Sequence, residues 1–136
     1  MNPRYMLDTN ICIYLMKQQP AQVQERLAEC YVGDVVISAI TLAELEFGVA
    51  CSGRAKPRNK AALAGFLEDI PVAPFGPGAA AAYGPLRLAS RHRNRDALDK
   101  LIAAHAISLG VTLVTNNERD FRDYPGLDVE NWVATA

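Results

Sequence analysis

Two short runs constrain the fold of this chain most tightly. Val35-Val36-Ile37-Ser38 and Val111-Thr112-Leu113-Val114 are rich in β-branched residues and almost continuously apolar. A strand built that way has no polar face to offer water, so it must be covered on both sides. Strands covered on both sides belong to parallel sheets flanked by helices. Parallel strands need long crossovers, and the intervening segments carry the helical period of apolar residues. The expected architecture is therefore α/β, assembled from right-handed βαβ units around a central parallel sheet. At 136 residues the chain can bury a substantial core, and no repeat or low-complexity tract divides it. Residues 1–136 read as a single domain.

Residues 4–7 read as a first strand and 10–17 as a short helix. Pro20 suits the first position of a second helix reaching about residue 31, with Val23, Leu27 and Tyr31 recurring every four residues. The Gly33-Asp34 turn leads to strand 35–38, and a helix then starts at Thr41 with Leu42, Leu45 and Val49 on one side. Gly48 on that helix leaves room for another backbone to approach. Residues 52–58 form a polar, basic loop, and 60–69 a helix. Residues 70–75 are extended, and Pro71 and Pro74 assign them to a sheet edge. Gly76-Pro77-Gly78 breaks the chain before an Ala-rich helix to about residue 92, disturbed at Gly84-Pro85. The basic loop Arg91-His92-Arg93-Asn94-Arg95 enters a helix over 96–109 that stops at Gly110. That helix is apolar almost all round, hence buried. Thr115-Asn116-Asn117 turns out of strand 111–114, and 127–129 reads as a last short strand.

Ligands of open α/β sheets bind just outside the carboxyl ends of the strands. The polar residues that follow strands are Asp8, Ser38 leading to Glu44, and Thr115 leading to Asp120. Each has an ordinary structural explanation. Asp8, Thr9 and Asn10 are turn and cap residues. Thr41-Leu42-Ala43-Glu44 has the form of a capping box. Asp96 suits a helix cap, and Asp99 complements a helix dipole. The joint pattern is less ordinary, because the elements bearing Asp8, Glu44 and Asp99 can all begin at one end of a parallel sheet. Carboxylates gathered in low-dielectric surroundings repel one another, and their pKa values rise unless a cation is bound. Hard oxygen ligands select Mg²⁺ or Mn²⁺. Such an ion can lower the pKa of a bound water and neutralise charge developing on a phosphodiester. The residues alone thus point to a carboxylate-held metal site for phosphodiester hydrolysis.

Composition narrows the partners. A net charge of −1 leaves no global field to draw in nucleic acid, so such contact rests on a local patch. Arg87, Arg91, Arg93, Arg95 and Lys100 are the candidates for an RNA-backbone patch or, equally, a solvated face. Cys12, Cys30 and Cys51 are odd in number and lack metal-type spacing, as expected of reduced, mostly buried thiols in the cytoplasm. No apolar run approaches a membrane span, and the N-terminus lacks signal-peptide character. His105 lies six residues past Asp99, on another side of its helix, and reads as a satisfied, partly buried histidine. Tyr14, Phe47 and Trp132 are expected in the core or a partner groove rather than as base-stacking platforms.

Four blocks, in order, resemble one family. Met6-Leu7-Asp8-Thr9-Asn10, continuing through Leu15, resembles the opening motif of PIN-domain ribonucleases of the VapC toxin type. Thr41-Leu42-Ala43-Glu44-Leu45-Glu46-Phe47-Gly48 resembles their second motif, and the segment from Leu98-Asp99 to Ala106 the third. Leu113-Val114-Thr115-Asn116-Asn117 through Asp120-Phe121, with Pro125-Gly126-Leu127 and Glu130-Asn131-Trp132, resembles the fourth block and the C-terminus.

The resemblance implies a three-layer α/β/α fold and a Mg²⁺-dependent endoribonuclease blocked by a VapB-type antitoxin. It implies Asp8 and Asp99 as metal ligands, Glu44 completing the acidic cluster and Asp120 as a fourth acid. Thr9, Asn10, Thr115, Asn117, Arg91, Arg93 and Arg95 are its candidate substrate contacts. It further implies a homodimer with an apolar groove for the antitoxin, to which Leu15, Leu42, Leu45 and Phe47 are candidate contributors. The opening motif is most like toxins that cut tRNA, notably the initiator tRNA anticodon loop. The family departs from this chain at Asn117, where many PIN domains carry Asp, and in the approach to Asp99. Competing readings are a phosphatase with Asp8 as nucleophile, a catalytically silent binding module, and a DNase. The phosphatase usually needs a second Asp two residues on, where this chain has Asn10.

Overall fold

The computed structural model describes residues 2–93 and 97–133. Five short strands form one parallel sheet: β1 (Tyr5–Leu7), β2 (Val35–Ser38), β3 (Val72–Ala73), β4 (Thr112–Val114) and β5 (Val129–Glu130). Their spatial order is β3-β2-β1-β4-β5, and every pairing is parallel. The helices are α1 (Thr9–Lys17), α2 (Ala21–Ala28), α3 (Ala39–Ala50), α4 (Lys56–Asp69), α5 (Pro77–Ala89), α6 (Ala97–Leu109) and the single turn α7 (Glu118–Phe121).

Alternation along the strands divides the interior in two. Leu7, Val35, Ile37 and Val114 face a core shared with Ile11, Cys12, Leu15, Leu45, Leu63 and Trp132. Met6, Val36 and Leu113 face the other, shared with Leu86, Ile102, Ala103, Ala106 and Phe121. Each face of the sheet therefore carries its own helical layer, which is the three-layer α/β/α arrangement expected. All four residues of β2 are buried, as its unbroken apolar run requires. β3 lies at a sheet edge between Pro71 and Pro74, where a missing N–H leaves no ladder bond unmade.

Several boundaries differ from expectation. α2 ends at Ala28 instead of continuing to residue 31, because a turn closes there: Tyr31 N–H donates to the Asp34 carboxylate at 2.9 Å. Tyr31 and Val32 consequently lie exposed. The basic loop after α3 is largely helical, since a 3₁₀ turn at Gly53–Ala55 runs straight into α4. α5 passes through Pro85 without breaking and stops at Ala89, where Ser90 Oγ turns back to donate to the Leu86 carbonyl at 2.8 Å. α6 is buried from Ile102 to Ala106 as expected, but at its start Leu98 is 46% exposed while Lys100 is buried. A Cβ at Gly48 would meet nothing, so no backbone of this chain uses the room expected there. Asn94, Arg95 and Asp96 lie outside the described residues, and with them the expected cap of α6 and part of the basic loop.

Candidate active site

The chain builds β1, β2 and β3 outward on one side, then returns to place β4 and β5 on the other. The strand order reverses between β1 and β4, and that switch point is where such sheets open a crevice for ligands. Asp8 leaves β1 and Thr115 leaves β4, so the two residues stand on either side of it. α1 and α3 follow their strands and α6 runs back into β4, so all three helices begin at this end of the sheet.

Asp8 caps α1 and feels the charge of Glu44. Its Oδ1 accepts from Ile11 N–H at 3.0 Å, the ordinary duty of a helix cap. Its Oδ2 accepts from the Thr115 hydroxyl. The carboxyl group is 5% exposed. Burial pushes its pKa up and the nearby charge of Glu44 adds to that, while Thr115 and the backbone of Ile11 and Asn10 oppose it. No lysine or arginine among the described residues pairs with Asp8 or Glu44. Cys12, one turn on, is buried, and burial together with Asp8 holds its thiol protonated.

Glu44 is not in a capping box. Ser38, the last residue of β2, caps α3 by accepting from Ile40 N–H at 3.0 Å, and Thr41 sits inside the helix. That frees Glu44 to accept from Thr9 Oγ1 at 2.8 Å, across to the residue beside Asp8. Nothing in the sequence signals this tie, because its partners stand 35 positions apart.

The fourth block forms a relay. Thr115 Oγ1 accepts from Asn117 N–H at 2.9 Å while donating to Asp8. Asn117 Nδ2 donates to Asp120 Oδ2 at 2.8 Å. Thr115, Asn117 and Asp120 are thus linked in series to Asp8, from buried Thr115 through exposed Asn117 to half-buried Asp120. At the rim, Asn116 donates to the Tyr14 hydroxyl, and Asn131 donates to Asn116 and Glu118, a polar network that the sequence did not signal. Asp99 occupies the first turn of α6 and is half-buried. Thr9 is half-buried and Asn10 exposed.

The basic candidates separate. Arg91 is exposed and donates to the Leu88 carbonyl, and the Arg93 guanidinium lies 4.9 Å over the Tyr124 ring. Arg87 is exposed beside Tyr83. Lys100 does not belong to a phosphate-facing patch: its buried Nζ donates to the Ser90 and Arg93 carbonyls beyond the end of α5. Carbonyls past a helix end need donors, and a lysine supplies them.

Among the described residues, no group of three or more His, Cys, Asp or Glu side chains is placed to hold a metal ion. The donor set still suits Mg²⁺, which keeps several waters and is held by one or two carboxylates rather than an all-protein cage. A buried carboxylate, its pKa raised by desolvation and by a second acid, is stabilised in its charged form by such a cation.

A groove of about 330 Å³ runs beside the cluster between α1, α3 and α4, lined by Ile13, Met16, Leu45, Val49 and Leu63, with Glu44 and Lys17 also lining it. Of the expected groove residues only Leu45 lines it. Leu15 is in the core, and Phe47 is 71% exposed outside it. Trp132 is core, packed edge-on against Tyr5 at 5.3 Å.

The PIN domain model matches residues 5–127. The chain is 41% identical over 131 residues to the tRNA(fMet)-specific endonuclease VapC of Shigella flexneri, covering 95% of this chain and 98% of that protein. It is 38% identical to the ribonuclease VapC2 of Rickettsia felis, covering 94% and 97%. A crystal structure of DNA-bound VapBC from Salmonella typhimurium superposes with a TM-score of 0.87 at 38% identity, covering 96% of this chain and 98% of that one.

Proposed function

The chain belongs to the PIN-domain family, among the VapC-type proteins, and from that premise we propose that it is the toxin of a toxin–antitoxin pair, an endoribonuclease that cuts tRNA. The observation that carries the reading is the buried Asp8 carboxylate at the switch point of the sheet, beside Glu44 and with no lysine or arginine paired to it among the described residues. The substrate follows from the 41% identity to an endonuclease named for initiator tRNA. The partner follows from the likeness to VapBC complexes: a VapB-type antitoxin, seated in the apolar groove with a cationic side chain toward Glu44. The working form is a cytoplasmic homodimer. Among the described residues no helix is long and apolar enough to cross a membrane.

In this reading Asp8 and Asp99 hold Mg²⁺, or Mn²⁺ in its place, with Glu44 completing the acidic cluster. The ion supplies a lowered pKa for water and neutralisation of charge on the phosphodiester. The chain's own residues do the rest. Thr115 and the first N–H groups of α1 fix the rotamer of Asp8 and favour its ionised form. Thr9 holds Glu44 toward Asp8. Asn117 aims Asp120, which stands ready to position water at the exposed side. Thr9, Asn10, Thr115 and Asn117 offer hydroxyl and amide groups to the scissile phosphate. Arg91, Arg93 and Arg95 add salt-dependent affinity for the RNA backbone without sequence choice.

The test is cleavage of total tRNA by antitoxin-free protein with and without Mg²⁺, beside Asp8→Asn and Asp99→Asn. Cleavage that requires the ion and disappears in both variants supports the assignment. Variants that cut as well as wild type refute it. Metal binding lost in the variants without any cleavage by wild type would leave the acids in place and overturn the substrate.

A further inference from the structure

Ser38 and His105 are both fully buried, and neither has a place in the mechanism above. His105 Nδ1 lies 2.8 Å from Ser38 Oγ. Ser38 ends β2 and caps α3; six positions further along α3 stands Glu44. His105 lies on α6; six positions earlier on α6 stands Asp99. The sheet register that pairs Met6 with Val36 sets Asp8 abreast of Ser38. One buried hydrogen bond therefore joins the helix that carries Asp99 to the helix that carries Glu44, in the same row of the sheet as Asp8. α3 and α6 also pack directly against each other.

The ring is held from further sides. The backbone of Pro74, which has only a carbonyl to offer, accepts from it, and Phe75 meets it edge-on at 5.4 Å. Ser38 Oγ is fixed in turn by Ile40 N–H. A hydrogen bond among immobile groups in low dielectric is stiff, because no water replaces either partner when it lengthens. A histidine that merely filled space would be served by any side chain of its volume. This one has its Nδ1 side committed to the residue that starts α3.

We propose that His105 is a positioning residue for the reaction: through Ser38 it sets the separation of α6 and α3, and with it the span between Asp99 and Glu44 across Asp8. The proposal rests on the reading of Asp8, Glu44 and Asp99 as the acids of the site. It predicts an asymmetry between two conservative replacements. Asn puts an amide where Nδ1 stands and keeps the link to Ser38. Gln puts its amide where Nε2 stands and loses that link while remaining polar and of similar volume.

The experiment uses the full chain freed of antitoxin, as wild type, His105→Asn, His105→Gln, Ser38→Ala and Asp99→Asn. Thermal midpoint, Mn²⁺ affinity without RNA, and kcat and KM on tRNA are measured for each. His105→Asn is expected within about threefold of wild type in Mn²⁺ affinity and kcat. His105→Gln and Ser38→Ala are expected to lose roughly 10- to 100-fold in both, the range seen when groups that orient metal ligands are removed, with KM for RNA nearly unchanged. Ser38→Ala cuts the same link with the ring left in place, and it decides the matter should His105→Gln fail to fold. Folded His105→Gln or Ser38→Ala protein with wild-type Mn²⁺ affinity and kcat overturns the positioning role alone, provided Asp99→Asn abolishes Mn²⁺ binding. Equal losses in His105→Asn and His105→Gln, in step with their thermal midpoints, reduce the ring to packing and likewise overturn it. If Asp99→Asn binds Mn²⁺ as wild type does, the acid site itself is misassigned and the proposal falls with it.

Discussion

Thr115→Val tests the link on which the cluster depends. The substitution keeps the side chain's shape and removes only the hydroxyl that donates to Asp8 Oδ2 and accepts from Asn117 N–H. A hydrogen bond to a charged group contributes about 1.5–3 kcal/mol. Asn117 is exposed and turns its N–H to water at little further cost. Unfolding entropy near 2.1 cal/mol/K per residue makes about 0.29 kcal/mol/K for 136 residues, so the expected fall in thermal midpoint is roughly 5–10 °C at neutral pH. The loss has a definite pH dependence. The folded-state pKa of Asp8 already lies above its unfolded value, chiefly through burial. Its contribution to stability is therefore fully present below the unfolded pKa and is lost as pH rises through the folded one. Without Thr115 the folded pKa rises further, so the variant falls increasingly below wild type as Asp8 ionises. Thermal melts in chelator across the acidic-to-neutral range, with the Asp8 carboxyl followed by NMR, measure both effects. Thr115→Ser should restore both. A difference in midpoint that does not change with pH, or a Thr115→Ser as unstable as the valine, would refute the role given to the hydroxyl.

Lys100→Met should destabilise the protein by about 2–3 kcal/mol, because carbonyls beyond α5 lose charged donors, while leaving the salt dependence of RNA binding unchanged. Arg91→Ala should do the reverse, flattening the slope of log K against log salt by about one with little effect on folding; filter binding over a salt series separates the two variants. Gly48→Ala should raise stability by up to about 1 kcal/mol, since α3 gains helix propensity and the new Cβ meets nothing. Gly48 lines the apolar groove, so under the proposed seating of the antitoxin there calorimetry should show that the same methyl weakens antitoxin binding.

The sheet was legible because its signal is local. The apolar run at residues 35–38 admits only a strand covered on both faces, and β2 is one. Pro71 and Pro74 likewise announced an edge. What misled was competition among neighbours. Thr41 and Glu44 have capping-box spacing, but Ser38 lies three residues earlier at the end of the strand and takes the cap first. Lys100 follows four basic residues and looks like part of their patch, yet the acceptors that draw it inward belong to a different segment. Most of the candidate acids stand in turns and first helical turns, which are local signals. Their couplings, Thr9 to Glu44 and Thr115 to Asp8, join residues 35 and 107 positions apart and leave no mark in any window of sequence.

That second distance bears on when the protein becomes what it is. β1 is the middle strand and pairs with both β2 and β4, but only β2 lies in the first half of the chain. During synthesis the amino-terminal half can form β1 and β2, and β3 soon after, with one flank of β1 still open. Asp8 then has its helix to cap but no Thr115. No nascent or truncated chain short of β4 can make the bond between them. That bond closes only after most of the chain exists, so the topology itself sets the completion of this end of the sheet late in the synthesis of each molecule.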